Sequence, residues 1–326
     1  LGHSLGEYAA AHVAGILSLE ETLRLVVERT RCVDSLTTPG AMATIGAPAA
    51  DVEMTLARHD AGVSIAAYNG PEQVVVSGTP AGVDTIAADF EARGVRVSRL
   101  RVTYASHSAA MDPILDRFEQ SLADVAFTAP HTTFVSNVTG AIAGLDVVGR
   151  PAYWREHLRR PVRFEDGVRA VRAIGCMHFI EIGPHPVLLG MAAACLPPDD
   201  VTCLPSLRRE EDDWDVILES LQSLYAAGAP IDWASFDRAG SRRLVAWTRY
   251  PFRQRRCWPA WLTPATARTS DGWRAWLAVR AALARQADRG PIGIDLTDYA
   301  RTWTALEQLT VALTSSVLRA SSVFTS

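Results

Sequence analysis

Residues 2–6 of the chain are Gly2-His3-Ser4-Leu5-Gly6, and a stretch of small residues follows directly. This is the G-x-S-x-G pattern, in which a sharp turn between a strand and a helix exposes a serine hydroxyl and small flanking residues avoid a clash. The pattern predicts a strand end and a tight turn over residues 1–6 and a helix over residues 7–14. Ser4 is then a candidate nucleophile. The backbone amide of Leu5, at the helix N-terminus, is a candidate donor to an oxyanion.

A serine nucleophile needs a base to take its proton. We exclude His3, because its side chain points away from that of Ser4 in such a turn. The candidate bases are histidines spread along the chain, namely His107, His131, His157, His178 and His185. The pattern of residues does not choose among them.

A second helix is predicted downstream of the motif. Ser18-Leu19-Glu20-Glu21 has the form of a capping box, in which the serine and the last glutamate each satisfy an unpaired amide at a helix start. We expect this helix to run to about residue 34. Leu23, Val26 and Val27 are predicted to form its buried stripe, and Arg29 lies near its far end.

Residues 40–102 change to strands that alternate with helices. We expect strands at 41–46, 63–68, 73–77 and 95–102, and helices at 48–59 and 80–94. Pro80 suits the first position of its helix, where its missing amide is harmless. The order β-α-β-β-α-β is typical of a ferredoxin-like unit.

The remaining sequence up to residue 228 has mixed α/β character, with strands predicted at 133–137 and 178–182 and helices at 166–174 and 214–227. We therefore predict an α/β protein in which residues 1–39 and 103–228 form a large subdomain and residues 40–102 are a small ferredoxin-like subdomain inserted in it. Residues 229–266, rich in Pro, Arg and Trp, are predicted to be a linker, and residues 267–326 a helical segment.

The composition excludes several classes of protein. The 326 residues carry a formal net charge of −4 and a pI of about 6.1, which offers no general basic field to a nucleic acid or an anionic membrane. No apolar run approaches the roughly 18 residues that span a bilayer. The cysteines lack C-x-x-C spacing, so we expect neither a zinc site nor a disulfide framework. We predict a cytoplasmic protein. Because the first residue is Leu1 and not Met, and the motif follows at once, we expect the chain to be a fragment of a longer polypeptide.

Further motifs follow the first one in a fixed order. They are Ala66-Ala67-Tyr68-Asn69-Gly70-Pro71, Val76-Ser77-Gly78, Tyr104-Ala105-Ser106-His107, Val135-Ser136-Asn137-Val138-Thr139-Gly140, Pro161-Val162-Arg163-Phe164, Glu181-Ile182-Gly183-Pro184-His185-Pro186 and Tyr250-Pro251-Phe252. Together with the opening Gly2-His3-Ser4-Leu5-Gly6-Glu7, this series resembles the acyltransferase domains of modular type I polyketide synthases.

The resemblance implies an α/β-hydrolase-like acyltransferase core with a Ser/His dyad. Ser4 matches the family nucleophile, and His107 matches its general base, which the family orients largely through backbone carbonyl groups. Arg29 matches the arginine that binds the free carboxylate of the extender unit. A guanidinium suits this role, because it can make two parallel hydrogen bonds to a carboxylate and stays charged. The alternative is that Arg29 is a cation near the helix C-terminus that interacts with the helix dipole, which would leave Arg24 and Arg31 equally eligible.

The implied reaction is a two-step acyl transfer. Ser4 takes an extender acyl group from coenzyme A and passes it to the phosphopantetheine thiol of an acyl carrier protein. The reaction requires no metal and no permanently bound cofactor, since the coenzyme A thioester is a substrate. The implied partners are the acyl carrier protein and the ketosynthase and linker domains of the same synthase.

The motifs disagree on the extender unit. Tyr104-Ala105-Ser106-His107 resembles methylmalonyl-selecting members, whereas malonyl-selecting members more often have His-Ala-Phe-His, in which a bulky ring fills the space for the methyl branch. Leu5 resembles malonyl-type members. We favour methylmalonyl over malonyl, because Ser106 acts through pocket volume.

Two parts of the chain depart from the family pattern. The strands before the serine, and a glutamine that supplies the other oxyanion donor, would precede Leu1, so we expect the chain alone to be inactive. Residues 267–326 faintly resemble the entry to a C-methyltransferase domain. A helical linker to another processing domain is an equal alternative.

Two other functions stay open on the sequence. The first is an α/β-hydrolase or thioesterase that uses Ser4 with His178 or His185 as its base, since the chain order Ser, acid, His is permitted. The second is a non-catalytic acyltransferase-like module kept as a docking surface.

Overall fold

The structure is a computed structural model, and it describes residues 1–59, 62–197 and 200–238. Contacts within the chain divide it into two units, Leu1–Ala229 and Pro230–Ser326. The helical segment predicted at 267–326 and nearly all of the linker predicted at 229–266 lie outside the described residues. The subdomain boundaries stay predictions.

Helices and strands alternate along the described chain, which confirms the α/β class. The helices are α1 (Gly6–Val13), α2 (Leu19–Asp34), α3 (Ala49–Arg58), α4 (Pro80–Ala92), α5 (Leu115–Gln120), α6 (Leu145–Val148), α7 (Pro151–Arg159), α8 (Phe164–Ala173), α9 (Leu188–Ala194), α10 (Asp213–Ala226) and α11 (Trp233–Asp237), with a 3-10 helix at Ala109–Ile114. The strands are β1 (Ala41–Ile45), β2 (Val63–Gly70), β3 (Gln73–Gly78), β4 (Val97–Arg99), β5 (Val162–Arg163), β6 (His178–Glu181) and β7 (Thr202–Pro205).

The middle of the chain forms a sheet with the strand order β4-β1-β3-β2-β5. β1 pairs antiparallel with β3 and β4, and β2 pairs antiparallel with β3. With α3 between β1 and β2 and α4 between β3 and β4, this is the predicted β-α-β-β-α-β unit. β5 comes from the larger part of the chain and pairs parallel with β2, so the sheet continues beyond the unit.

Strand β3 is apolar on both faces. Val74 and Val76 pack with Phe90 of α4 in one buried cluster. Val75 points the other way and packs with Phe164 of α8 in a second cluster. Because successive side chains of a strand point to opposite faces, a continuous valine run fits a strand that is covered on both sides.

A third cluster forms the core of the larger part of the chain. It joins α1, α2, α5 and α7 around the fully buried side chains of Tyr8, Leu25, Phe118 and Trp154. The indole Nε1 of Trp154 donates a hydrogen bond of 3.1 Å to the carbonyl of Val148, so this large ring is buried without an unpaired donor. The cluster fixes α1, which follows Ser4 directly, and α2, which carries Arg29.

Helix α2 begins at the predicted cap. The hydroxyl of Ser18 accepts a hydrogen bond of 3.1 Å from the backbone amide of Glu21. A capping bond of this kind stabilises a helix by about 1 kcal/mol.

The predicted buried stripe of α2 is wrong at two of its three positions. Leu23 is 57% exposed and Val27 is 46% exposed, whereas Val26 packs against the core. The fully buried positions of this helix include Leu25 and Cys32. Apolar residues occur on more than one side of α2, so the periodicity alone allows several orientations, and the contacts with neighbouring helices select one.

Some predicted strands are shorter or absent. No strand forms at residues 1–6 of the described chain, and the segment predicted at 133–137 has only an isolated bridge between Val135 and Ile142. Strand β4 covers three of the eight positions predicted at 95–102. A strand needs a partner along its length, which sequence alternation does not guarantee.

No helix within the described residues combines the length and the apolar character that crossing a membrane requires.

Candidate active site

Ser4 lies in a tight turn that leads into α1. Its φ angle is +47°, a left-handed conformation that costs a non-glycine residue roughly 1–2 kcal/mol. The amide of Gly6 donates a hydrogen bond of 2.9 Å to the carbonyl of His3, which closes the turn. A Cβ atom on Gly2 would lie 2.3 Å from the amide nitrogen of Glu7, so glycine is required there. A Cβ atom on Gly6 would meet nothing within 4 Å, so the predicted need for a small residue holds for Gly2 and not for Gly6.

His107 is the histidine that reaches Ser4. Its Nε2 lies 2.7 Å from Ser4 Oγ, and its Nδ1 lies 2.8 Å from the backbone carbonyl oxygen of Arg160. The carbonyl can only accept, so Nδ1 carries the proton and Nε2 is left with a lone pair for the serine hydroxyl. The imidazole is thus oriented by a backbone carbonyl, as the family resemblance implies.

The environment keeps His107 neutral. Burial is the larger cause and the positive charge of Arg29 the next, and together they lower the pKa of His107 to about 4. A neutral imidazole at pH 7 is the form that can accept the proton of Ser4.

None of the other candidate bases forms a hydrogen bond with the hydroxyl of Ser4 in the described chain. His157 is buried, but its ring centroid lies 6.1 Å from that of His107, and no hydrogen bond joins it to the Ser4 side chain. His131, His178 and His185 are exposed. The Nε2 atom of His3 lies 2.8 Å from Asn69 Oδ1, so its side chain points away from Ser4, as predicted.

The three arginines of α2 differ in their partners. Arg24 pairs with Glu21 at 2.7 Å and Arg31 pairs with Glu28 at 2.5 Å, both on the surface. Arg29 has no carboxylate partner in the described part of the chain, and its buried Nε makes no hydrogen bond. Its charge also acts on His107. Among these three arginines, Arg29 is thus the one that has no carboxylate partner in the described chain and whose charge acts on His107.

The remaining predicted site residues are close to Ser4 or His107 in the sequence. Leu5 precedes α1 directly, and its amide donates no backbone hydrogen bond within the described residues. Tyr104 is half-buried and packs against the core of the larger part of the chain. Ser106 is partly buried and adjoins His107 in the sequence.

Sequence reasoning missed the polar residues that lie beneath the serine. Glu7, Asn137 and Tyr153 are buried and form a hydrogen-bonded network that reaches the backbone of Ser4. Glu7 and Asn137 belong to motifs that were recognised, but their contacts join segments more than a hundred residues apart. Glu7 resembles an exposed acidic residue in the first turn of a helix, and only its burial reveals otherwise.

Two curated polyketide synthases are similar to the chain in sequence. Polyketide synthase GfsB of Streptomyces halstedii is 41% identical over 265 residues, which cover 79% of this chain and 5% of that protein. Mycoketide-CoA synthase of Mycobacterium tuberculosis is 39% identical over 258 residues, which cover 79% of this chain and 6% of that protein. The chain thus spans a small fraction of the length of these relatives.

Solved acyltransferase structures share the fold. The acyltransferase domain from the second module of the salinomycin polyketide synthase matches with a TM-score of 0.67 and 40% identity, over 71% of this chain and 54% of that one. Malonyl-CoA:acyl carrier protein transacylase (FabD) from Xanthomonas oryzae pv. oryzae matches with a TM-score of 0.60 and 30% identity, over 67% of this chain and 70% of that one.

The family model of the acyl transferase domain matches residues 1–229, which include the turn at Ser4, the five-stranded sheet and the segment that carries His107. The chain therefore belongs to the acyl transferase domain family and carries the acyltransferase domain of a polyketide synthase.

Proposed function

We propose that this domain transfers an extender acyl group from coenzyme A to an acyl carrier protein through an acyl-serine on Ser4. The observation that carries the proposal is the 2.7 Å contact between Ser4 Oγ and the neutral His107, beside an arginine without a carboxylate partner in the described chain. A nucleophile, a base and a binding site for a carboxylate are what transfer of a dicarboxylic acyl group requires.

The first half of the reaction loads the enzyme. Ser4 Oγ attacks the thioester carbonyl while its proton moves to His107 Nε2, and the amide of Leu5 donates to the developing oxyanion. The C–S bond then breaks, and the thiolate of coenzyme A leaves with the proton from His107. The backbone carbonyl of Arg160 keeps the imidazole in the required orientation in both steps.

The second half reverses these roles. The phosphopantetheine thiol of the carrier protein gives its proton to His107 and attacks the ester carbonyl of acyl-Ser4. Ser4 Oγ leaves and recovers the proton. Glu7, Asn137 and Tyr153 do not take part in proton transfer in this scheme.

Arg29 sets the class of substrate. Its guanidinium binds the free carboxylate of the extender unit, which selects half-esters of dicarboxylic acids and holds the thioester carbonyl against Ser4. The buried Nε without a partner supports this role, because an unpaired buried donor costs stability unless a ligand satisfies it.

The proposed extender unit is methylmalonyl in preference to malonyl. Ser106, next to His107, leaves the volume that the methyl branch needs. Tyr104 belongs to the same four-residue motif and is the other proposed substrate-binding residue. One methyl group changes the free energy of the transition state by roughly 1–3 kcal/mol, so we expect a preference of about tenfold or more.

The geometry gives the hydrolase alternative no support, because its candidate bases His178 and His185 are exposed and His107 occupies the position beside Ser4. The docking-module alternative predicts an idle site. A neutral base and an available arginine instead support a working one.

Intact-mass analysis of the full-length protein tests the proposal. The protein is mixed with equal methylmalonyl-CoA and malonyl-CoA, and Ser4→Ala, Arg29→Ala and Arg31→Ala are measured in parallel. We expect a mainly methylmalonyl adduct that is absent in Ser4→Ala and reduced about a hundredfold in Arg29→Ala, since a bound carboxylate loses its charged hydrogen bonds.

Arg31→Ala is the matched control, because it removes a paired surface arginine from the same helix, and we expect it to behave as wild type. A mainly malonyl adduct would contradict the assignment of Ser106 alone. An adduct that forms on Ser4 and hydrolyses in preference to reaching a carrier thiol would favour the hydrolase, and no adduct on the wild-type protein would favour the docking module.

A further inference from the structure

Glu7 is an acidic residue in an unusual position. It lies in the first turn of α1, and its side chain is fully buried. No arginine or lysine of the described chain pairs with it, and its nearest basic group is His157 Nε2 at 3.8 Å. A buried carboxylate is costly unless hydrogen bonds satisfy it. The favourable potential at a helix N-terminus does not explain the burial, because an exposed acid would benefit from it too.

Asn137 connects this carboxylate to the turn that holds Ser4. The backbone amide of Asn137 donates a hydrogen bond to Glu7 Oε2 at 2.6 Å. Its side-chain Oδ1 accepts from the amide of Ser4 at 2.8 Å, and its Nδ2 donates to the carbonyl of Gly2 at 2.9 Å. Asn137 therefore holds both sides of the turn at once, and Glu7 holds the backbone of Asn137.

The turn needs such a support. Ser4 has the left-handed backbone conformation that residues other than glycine rarely adopt. A conformation of this kind persists where surrounding contacts over-determine it. Two hydrogen bonds from one asparagine side chain, across the strained residue, supply that restraint.

The other oxygen of Glu7 is tied to α7. The hydroxyl of Tyr153 donates to Glu7 Oε1 and lies 2.7 Å from Ser136 Oγ. The residue that caps the end of the same helix is Arg160, whose carbonyl oxygen orients His107. One helix thus fixes the base at one end and, through Tyr153, Glu7 and Asn137, the serine at the other.

We infer that Glu7 is a positioning residue for the reaction, whose buried carboxylate holds Asn137 so that the strained Ser4 turn presents its hydroxyl to His107. The inference rests on the proposed function, in which Ser4 is the nucleophile. Glu7 does not touch the reacting atoms, and it acts through Asn137.

The charge of Glu7 is expected to change near neutral pH. The titratable side chains that face it in the described chain are Tyr8 on its own helix and Tyr153 and His157 on α7. Burial raises the pKa of Glu7 to about 7, against the hydrogen bonds from Tyr153 and Asn137 that lower it. Burial raises the pKa of both tyrosines and lowers that of His157, so these three side chains are neutral there.

Protonation of Glu7 replaces a charge-assisted hydrogen bond to Asn137 with a weaker one. The rate of Ser4 acylation should therefore fall as the pH drops through about 7. His107 cannot cause a change at that pH, because its pKa is about 4.

The test is the single-turnover rate of Ser4 acylation in the full-length protein, measured by rapid quench and mass spectrometry with methylmalonyl-CoA between pH 5.5 and 8.5. Glu7→Gln keeps the shape of the side chain and removes its charge. We expect it to lower the maximal rate about tenfold, to change the half-saturating concentration by less than about twofold, and to abolish the fall near pH 7. Glu7→Asp should restore the fall in part, because it retains a carboxylate.

Two further variants separate positioning from folding. Tyr153→Phe removes the bond to Glu7 Oε1 and leaves the carboxylate in place, and we expect a rate loss of about threefold. If Glu7→Gln does not fold, the rate of Tyr153→Phe becomes the test of the inference. Ser220→Ala is the matched control, since it removes a buried hydrogen bond of 2.7 Å to the carbonyl of Pro205 and should lower the melting temperature without changing the rate or its pH profile.

A wild-type rate and an unchanged pH profile in Glu7→Gln would overturn the inference while the proposed function stands. Equal losses of rate in Tyr153→Phe and Ser220→Ala would also overturn it, because the effect would then be one of stability. A wild-type protein that forms no adduct on Ser4 would remove both the proposed function and the inference.

Discussion

Arg29 differs from the other arginines of α2 only in its surroundings. Arg24 and Arg31 each pair with a glutamate one turn away, whereas Arg29 is left with a buried donor and no carboxylate within the described chain. The residue type is the same in all three cases. What separates Arg29 from the two paired surface arginines is that its Nε is buried without a partner.

Gly2 and Gly6, the two glycines near Ser4, allow a test of the turn by single substitutions. Gly2→Ala should lower the rate of Ser4 acylation at least tenfold, because the new Cβ atom would lie 2.3 Å from the backbone of α1 and would displace the turn. The measurement is the acylation rate by mass spectrometry at saturating acyl-CoA.

Gly6→Ala is the matched control for this prediction. The new methyl group meets nothing within 4 Å, so we expect a rate within about twofold of wild type. Equal effects of the two substitutions would contradict the assignment of Gly2 as the sterically required glycine.

At the scale of secondary-structure elements, α2 separates local from tertiary information. Its start is set by Ser18, whose hydroxyl accepts a hydrogen bond from the backbone amide of Glu21 as predicted. The Glu21 carboxylate pairs with Arg24 instead of completing the capping box. The orientation of α2 is set by the helices around it, which bury Leu25 and leave Leu23 exposed. The cap could be read from four residues, but the buried face could not be read from the whole helix.

Leu25 and Leu23 make a matched pair for testing that orientation. Leu25→Ala should reduce the free energy of unfolding by roughly 2–5 kcal/mol, because it leaves a cavity in the core of the larger part of the chain. Leu23→Ala should change it by less than about 0.5 kcal/mol. Urea unfolding followed by tryptophan fluorescence measures both, and a larger loss for Leu23→Ala would reverse the assigned face.

At the scale of the whole molecule, the site depends on segments that are distant in sequence. Ser4 lies in the turn before α1, His107 follows strand β4, and Asn137 and Arg160 come from still later segments. Burying these polar groups together makes the fold sensitive to pH. His107 is held neutral in the folded state with a pKa of about 4, below its usual value of 6.5.

The sign of this sensitivity follows from proton binding. Between pH 6.5 and 4 the unfolded chain binds a proton at His107 that the folded chain does not bind, so the free energy of unfolding falls as the pH falls through this window. For His107 alone we expect a loss of about 2 kcal/mol between pH 7 and pH 5. Glu7, with its pKa raised to about 7, contributes in the opposite direction and does so in every variant that retains it.

The difference between wild type and His107→Gln isolates the histidine. Urea unfolding at pH 7 and pH 5 should show a smaller loss of stability on acidification in the variant, by about 2 kcal/mol. The same loss in both proteins would show that His107 is not held neutral by the fold.

The sequence determined the local features of this protein. The turn at Ser4, the cap at Ser18, the proline at the start of α4 and the β-α-β-β-α-β order of the inserted unit each depend on residues that are neighbours along the chain. Because local sterics and hydrogen bonding set such features, they were predicted correctly. The family was also recognisable, since its motifs occur in a fixed order.

Only the tertiary structure decided which side chains meet. Of five candidate histidines it brought His107 to the hydroxyl of Ser4, of three arginines it left Arg29 without a carboxylate partner in the described chain, and it revealed Glu7 and Asn137 near the turn at Ser4. It also showed that Leu23 and Val27 face outward and that residues 133–137 form no regular strand. These outcomes depend on burial and on contacts between segments far apart in the chain, and burial changes the pKa of a side chain and the need for a partner without changing the residue that the sequence records.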